Sequence, residues 1–176
     1  KPLKPADFFK EEQKKFKLGV SLRVSAPLGQ YDADRLINLG TNRWSFKTGL
    51  AGSYTIKKKL IFELQLDTWL FTDNSDFFGG NIQSQEPLFG AQLHATYIFK
   101  PGFWLALSLG EVFGGIVAVN GVENEMLNNS RYGMSLAYKL SKHHSLKASF
   151  TNRLLTSTGN DFNTFLIAYQ FMWFNK

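Results

Sequence analysis

Apolar and polar side chains alternate with a period of two through eight separate stretches of this chain. Alternation of that kind puts successive side chains on opposite faces of an extended backbone, so it predicts strands with one greasy and one hydrophilic face. In the first stretch, Phe16 to Ala26, the residues Phe16, Leu18, Val20, Leu22 and Val24 face one way, and Lys17, Gly19, Ser21 and Arg23 the other. The others are Trp44 to Ile56, Leu60 to Thr72, Leu88 to Phe99, Phe103 to Phe113, Arg131 to Leu140, Leu146 to Leu154 and Asn163 to Trp173. Their second face is small or polar: Lys47, Gly49 and Ala51; Glu63, Gln65 and Asp67; Gln92 and His94; Ala106, Ser108 and Gly110.

The connections add a second pattern. Those at residues 57–59, 100–102 and 141–144 are short, and they alternate with long links at 27–43, 73–87 and 114–130; the link at 156–161 is intermediate. A membrane-spanning barrel sorts its connections in this way, with short turns on the periplasmic side and longer loops outside. Each stretch is also about as long as a tilted strand needs to cross the hydrocarbon layer, about 9–11 residues. Aromatic residues gather near both ends. Phe16, Tyr54, Tyr97, Phe99, Phe103, Tyr138, Phe171 and Trp173 stand toward the short turns; Trp44, Phe46, Phe71, Phe89, Phe113, Tyr132 and Phe165 stand toward the long loops. Two such bands flank the aliphatic middle as interfacial girdles do.

The expected fold is therefore all-β: an antiparallel up-and-down transmembrane β-barrel over residues 16–174 with eight strands visible. A lipid-spanning sheet has to close on itself to satisfy its edges. Residues 1–15 do not alternate. They are expected to form a periplasmic arm or a short helix capped by Asp7. Water-soluble eight-stranded barrels alternate as well, but they turn the apolar face inward. The one-sided loops, the banded aromatics and the Gly, Ala and Ser content of the polar face favour the membrane form.

Composition narrows the function. The chain has 176 residues, no cysteine and a formal charge of +6. Thiolate metal sites, disulfides and cysteine nucleophiles are excluded. No stretch is long and apolar enough for a spanning helix. The start, KPLKP, is not a secretory signal, so any signal is expected to have been removed or to lie upstream. Charge divides by side: Asp32, Asp34, Asp73, Asp76, Glu86, Glu123 and Glu125 lie in the long links and Asp161 in the intermediate one, while Lys57, Lys58, Lys59, Lys100 and Lys142 lie in the short ones. Such a split is not a nucleic-acid groove. The expected partners are membrane lipid and lipopolysaccharide, a small-molecule solute and other proteins, with no nucleic acid.

The stretch Ser25 to Lys47, SAPLGQYDADRLINLGTNRWSFK, together with FTDNSDFFGG (Phe71 to Gly80), QEPLFGAQLHATY (Gln85 to Tyr97), VNGVENE (Val119 to Glu125) and NSRYGMSLAYKLSKHHSLK (Asn129 to Lys147), resembles the outer-membrane transporter-like family named for the meta-pathway of phenol degradation. The resemblance covers about residues 16–174 in order and spacing. It implies a bacterial outer-membrane location and a transport role. Members of that family carry further strands upstream, so it also implies that this chain is either the C-terminal part of a barrel of about 12 strands or a relative closed at eight.

Candidate site residues follow from the polar face and the long links. Arg23, Lys47, Glu63, Gln65, Asp67, Gln92, His94, Arg131, Lys139, Lys147 and Arg153 are expected to line a lumen, either as a conduit wall or as a salt-bridged plug. Asn38, Gly40, Asn42, Arg43 and Trp44 form the family's outer-loop motif, where they shape a mouth, bind a partner or simply hold the loop. Asp73, Asn74 and Asp76 offer clustered oxygens to calcium, but in a spacing unlike an EF-hand, so no metal and no cofactor are expected. His94 is the one candidate base inside a strand, His143 and His144 falling in a short turn, and no G-x-S-x-G is present, so no enzyme is expected. Two functions remain open: a channel or transporter passing small, aromatic or hydrophobic compounds by passive diffusion, and a closed structural barrel that binds partner proteins.

Overall fold

The structure, a computed structural model, describes residues 15–156 and 163–173. Among them are twelve strands and no helix: β1 (Phe16–Ser25), β2 (Ser45–Ile56), β3 (Leu60–Phe71), β4 (Asn74–Phe77), β5 (Asn81–Gln85), β6 (Leu88–Lys100), β7 (Phe103–Gly114), β8 (Val117–Val119), β9 (Val122–Glu123), β10 (Leu127–Lys139), β11 (His144–Thr156) and β12 (Thr164–Phe171). The long ones form one antiparallel sheet of eight in the order β1-β2-β3-β6-β7-β10-β11-β12. They correspond to the eight alternating stretches. Edge strands β1 and β12 do not pair with each other, so over the described residues the sheet is an open arc of barrel wall.

Register carries the alternation across the whole sheet. Direct partners in an antiparallel ladder share a face. The chain of partners Val20, Leu50, Leu66 and Ala91 therefore holds one face, and Arg23, Lys47, Trp69 and Leu88 the other. Among the described residues nothing packs on the apolar face: Val20 is 80% exposed, Leu22 69% and Leu18 65%. In the main sheet the buried residues are Gly49, Asp67, Gly90, Ala106 and Gly133, all on the polar face. The sheet thus curls toward its hydrophilic side, which crowds, and leaves its aliphatic side outward. In water such a molecule would expose row upon row of Leu and Phe; in lipid those rows are solvated.

Aromatic contacts build the predicted bands on the apolar face. At the short-turn end Tyr97, Phe99, Phe103 and Tyr138 form a continuous chain, with successive centroids 5.0, 4.7 and 5.4 Å apart. At the other end Phe89 stacks on Phe113 at 5.5 Å, and Trp44 on Phe46 at 6.4 Å. Phe71 departs from the expected band. It pairs with Ser45 on the polar face, where its ring lies 4.5 Å beneath the Arg43 guanidinium. Parity along β3 decides this, since Asp67 and Phe71 stand four residues apart and so share a side.

The short turns have defined chemistry. Lys57 and Lys58 both take positive φ, 49° and 57°, with Lys59 N–H donating to Ile56 O at 3.0 Å. Lysines here take the two left-handed positions more usual for Asn-Gly, and the ladder closes at Ile56–Leu60, with three residues in the turn. The β6–β7 turn places Pro101 before Gly102 at φ 80°, the type II arrangement. His144, expected in a turn, opens β11.

The links 73–87 and 114–130, expected as loops, hold a second sheet in the order β4-β5-β8-β9. Gly79 and Gly80 turn one hairpin, and Asn120 (φ 49°) with Gly121 (φ 80°) turns the other. The ladder Gln83–Val119, Ser84–Ala118 and Gln85–Val117 stitches the two links together. Strand β10 also begins earlier than the expected Arg131, at Leu127. The arm expected at residues 1–15 lies, but for Lys15, outside the described residues, as does nearly all of the link at 156–161.

Candidate functional site

Ladder register puts Arg23, Lys47, Glu63, Gln65, Asp67, Gln92, His94, Arg131, Lys139, Lys147 and Arg153 on one face of the main sheet. That is the crowded, concave face. Their contacts divide them into groups.

The first group sits on β2 and β3. Asp67 is almost fully buried and forms an ion pair with Lys47 at 3.2 Å; Gln65 Nε2 donates to the same carboxylate oxygen, Oδ2, at 2.8 Å. Lys47 Nζ lies 4.3 Å from the centre of the Trp69 ring. The other carboxylate oxygen, Oδ1, is buried without a hydrogen-bond partner among the described residues. The neighbouring strand makes room for it: a Cβ at Gly49 would stand 2.8 Å from that oxygen and 2.6 Å from Ser21 Oγ. Trp69 in turn lies over Gly90, where a Cβ would approach its ring to 3.0 Å.

The second group crosses β6 and β7. His94 Nδ1 shares a hydrogen bond with Ser108 Oγ at 2.8 Å. The two are direct partners across β6 and β7, in a register that the irregularity between Ile98 and Lys100 displaces by one residue from the turn's own. Glu63 is the direct partner of His94 on its other side, but the two form no ion pair.

The third group lies on β10 and β11. Arg131 stands directly opposite Arg153, and Ser135 Oγ meets Ser149 Oγ at 2.8 Å. Lys147 Nζ lies 6.0 Å from the Trp104 ring centre. Two recesses open along the same face. One, of about 500 Å³, has Trp69, Gly90, Gln92, Gly110 and Arg131 on its wall. The other, of about 470 Å³, is bounded by Glu63, His94, Trp104, Ser108 and Lys147.

At the long-loop end the motif residues hold structure. Asn38 closes its own loop: its Oδ1 accepts from Asp32 N–H at 2.8 Å, and its Nδ2 donates to Asp32 O and Arg35 O. Gly40 packs against the Gly29 backbone, which a Cβ would meet at 3.1 Å. Asn42, at φ 51°, donates to Asn74 Oδ1, and Asn74 Nδ2 donates to Tyr31 Oη at 2.8 Å. Asn74 is 1% exposed and also accepts from Asp76 N–H, so it joins the first and second long links. Trp44 and Thr72 exchange two hydrogen bonds. Arg43 donates to Gln85 Oε1 at 2.5 Å, and Gln85 Nε2 donates to Gly115 O, reaching the third link. Burial pushes the Arg43 guanidinium below its usual range, an effect that the Asp73 carboxylate opposes. The calcium candidate therefore has its central member, Asn74, already committed on both side-chain atoms. Among the described residues no three His, Asp or Glu side chains gather as a metal site would require. The sequence held one sign of this framework, the Asn74 amide in an acidic stretch, but Tyr31 is remote in the chain and carried none.

Comparison with known proteins decides the family. The family model described as "Putative MetA-pathway of phenol degradation" matches residues 4–171. The chain belongs to that family. Its fold is similar to the crystal structure of an outer membrane channel from Pseudomonas putida F1, with a TM-score of 0.77 and 26% sequence identity. That match covers 89% of this chain and 59% of the channel, so the chain spans less than two thirds of that channel's length. No curated protein sequence matches the chain. Family and fold together identify a β-barrel protein of the bacterial outer membrane.

Proposed function

We propose that the chain forms wall of an outer-membrane channel through which small solutes pass by diffusion, with no covalent chemistry. The observation that carries the reading is the composition of the concave face. It is paved with Gly, Ala and Ser between the charged side chains, with recesses of about 500 and 470 Å³ along it. A plug would fill that space with large residues; a wall for passage keeps it open and polar. The likeness to an outer membrane channel supports the same reading. Trp69 and Trp104, both on this face, supply flat apolar surface suited to small aromatic or hydrophobic solutes.

The test is conductance of the purified protein in a planar bilayer. The expected result is discrete current steps whose size changes in Arg131→Ala. An insulating bilayer containing folded, inserted protein would instead establish a closed scaffold. The observation that favours that second reading is the stitching of the long links by β5 and β8.

A further inference from the structure

We propose that the outward face carries a lipid site: a groove across β1, β2 and β3 that holds one acyl chain of an anionic phospholipid, with the phosphate on the lysines of the β2–β3 turn. The inference is independent of whether the sheet encloses an open channel, since it concerns the side that meets the bilayer.

One glycine carries it. Gly49, Gly90 and Gly133 stand on the concave face, where an added Cβ would meet neighbours at 2.6, 3.0 and 2.7 Å. Among the described residues of the main sheet, Gly52 is the one glycine on the apolar face, between Leu50 and Tyr54. Its φ is not positive, and an added Cβ would meet nothing nearer than the Phe16 ring at 3.8 Å. The backbone therefore does not require glycine there. A glycine inside a strand weakens it and often marks the close approach of a ligand or another chain. The missing side chain opens a groove of about 360 Å³. Phe16 and Leu18 of β1 form one bank, Phe62 and Leu64 of β3 the other, and Leu50 and Tyr54 of β2 stand at its two ends. Ser53 and Glu63 also border it, but by parity their own side chains belong to the concave face.

Size and charge choose the occupant. From Ile56, beside the turn, to Leu50 is six positions, a rise of roughly 20 Å along the strand. At a tilt of about 45° that is roughly 14 Å of depth, about half of the hydrocarbon layer and so the reach of one leaflet's chains. A groove one strand wide offers far less than the roughly 1,000 Å² that a specific protein interface buries. At the turn end stand Lys57, Lys58 and Lys59, all exposed and, among the described residues, without an ion pair. Short turns face the periplasm, where the adjoining leaflet is phospholipid. Cations clustered at a membrane surface attract anionic head groups. An apolar slot one leaflet deep with lysines at its rim matches both ends of such a lipid.

The experiment is native mass spectrometry of the purified protein in detergent, titrated with phosphatidylglycerol or with phosphatidylcholine of the same chains. The expected result is one phosphatidylglycerol retained with an affinity at least about fivefold that of phosphatidylcholine. K57Q/K58Q/K59Q should bring the two lipids level. G52L, which fills the groove, should lower retention of both at least about fivefold. Lys142→Gln, in another turn, and Ala148→Leu, elsewhere on the apolar face, should leave both unchanged. Heat-modifiable migration on a gel verifies that each variant is folded; should G52L fail to fold, G52A lowers retention part of the way. Equal retention of the two lipids by the unaltered protein, retention indifferent to either set of substitutions, or equal losses in Lys142→Gln and Ala148→Leu overturns the inference. A dimer that excludes lipid and dissociates in G52L assigns the groove to a second copy and overturns it as well.

Discussion

The β2–β3 and β10–β11 hairpins belong to one sheet and present their charges to the same face, yet they treat those charges in opposite ways. In β2–β3 the lysine and the aspartate are brought together, desolvated and covered by Trp69. Each strand contributes one sign, and the pair is part of the packing. In β10–β11 every charge is positive and the two arginines face each other across the ladder. The first arrangement joins two strands by an ion pair; the second sets like charges on directly paired positions. A hydrophilic face is therefore not one feature. The same alternation that marks both hairpins as half-polar hides a buried ion pair in one and a run of like charges in the other.

The largest effect expected from this contrast is on stability. Lys47→Met removes the partner of a buried carboxylate, and breaking such a pair costs about 3–5 kcal/mol. Lys147→Met, at an exposed position of β11, is expected to change stability by no more than about 0.5 kcal/mol. Equilibrium urea unfolding of both variants in the same lipid measures the difference, and similar losses would erase the distinction between the hairpins. Next come charges placed on the other face. Leu66→Arg in β3 and Met134→Arg in β10 both point outward, where an arginine near the bilayer midplane costs about 2–4 kcal/mol. Both hairpins should lose alike here, because lipid, unlike the concave face, is common to them. The smallest effect lies in the turns. Lys58 holds φ 57°, whereas no residue of the β10–β11 turn takes positive φ. Lys58→Gly is expected to stabilise the protein by about 1 kcal/mol, and a glycine in place of Lys142 to gain nothing. Unfolding midpoints compare the two.

Much of this was legible before any coordinates. Eight strands were visible because alternation sustained over eight or more residues has no helical reading. The face of each candidate residue followed from parity alone. Partnerships across strands were legible in principle where a turn is short and its residue count is fixed: once Lys57 to Lys59 are placed as a three-residue turn, Gly49 must lie beside Asp67. His94 against Ser108 was not legible, because the irregularity between Ile98 and Lys100 displaces the register by one residue from what the Pro101-Gly102 turn alone would set. The second sheet was not read because its strands run two to five residues, too short for a period to register. One signal for it was present, Asn120-Gly121 between Val119 and Val122, the strongest short hairpin sequence there is. Phe71 was misassigned because an aromatic near a strand end was given weight over the parity of its position. The Tyr31–Asn74–Asn42 framework joins residues 32 and more positions apart, and polar contacts of that range leave no local pattern.

The measurement closest to the central claim uses the absence of cysteine from the chain. Single substitutions at Ala91, Gln92, Leu93, His94, Ala95 and Thr96 in β6, each to Cys, would be probed in lipid with a water-soluble, membrane-impermeant maleimide. Reaction is expected at Gln92, His94 and Thr96, with protection at Ala91, Leu93 and Ala95. Uniform reactivity along the strand, or reaction at Leu93 and protection at His94, would contradict an outward apolar face and a hydrated polar one.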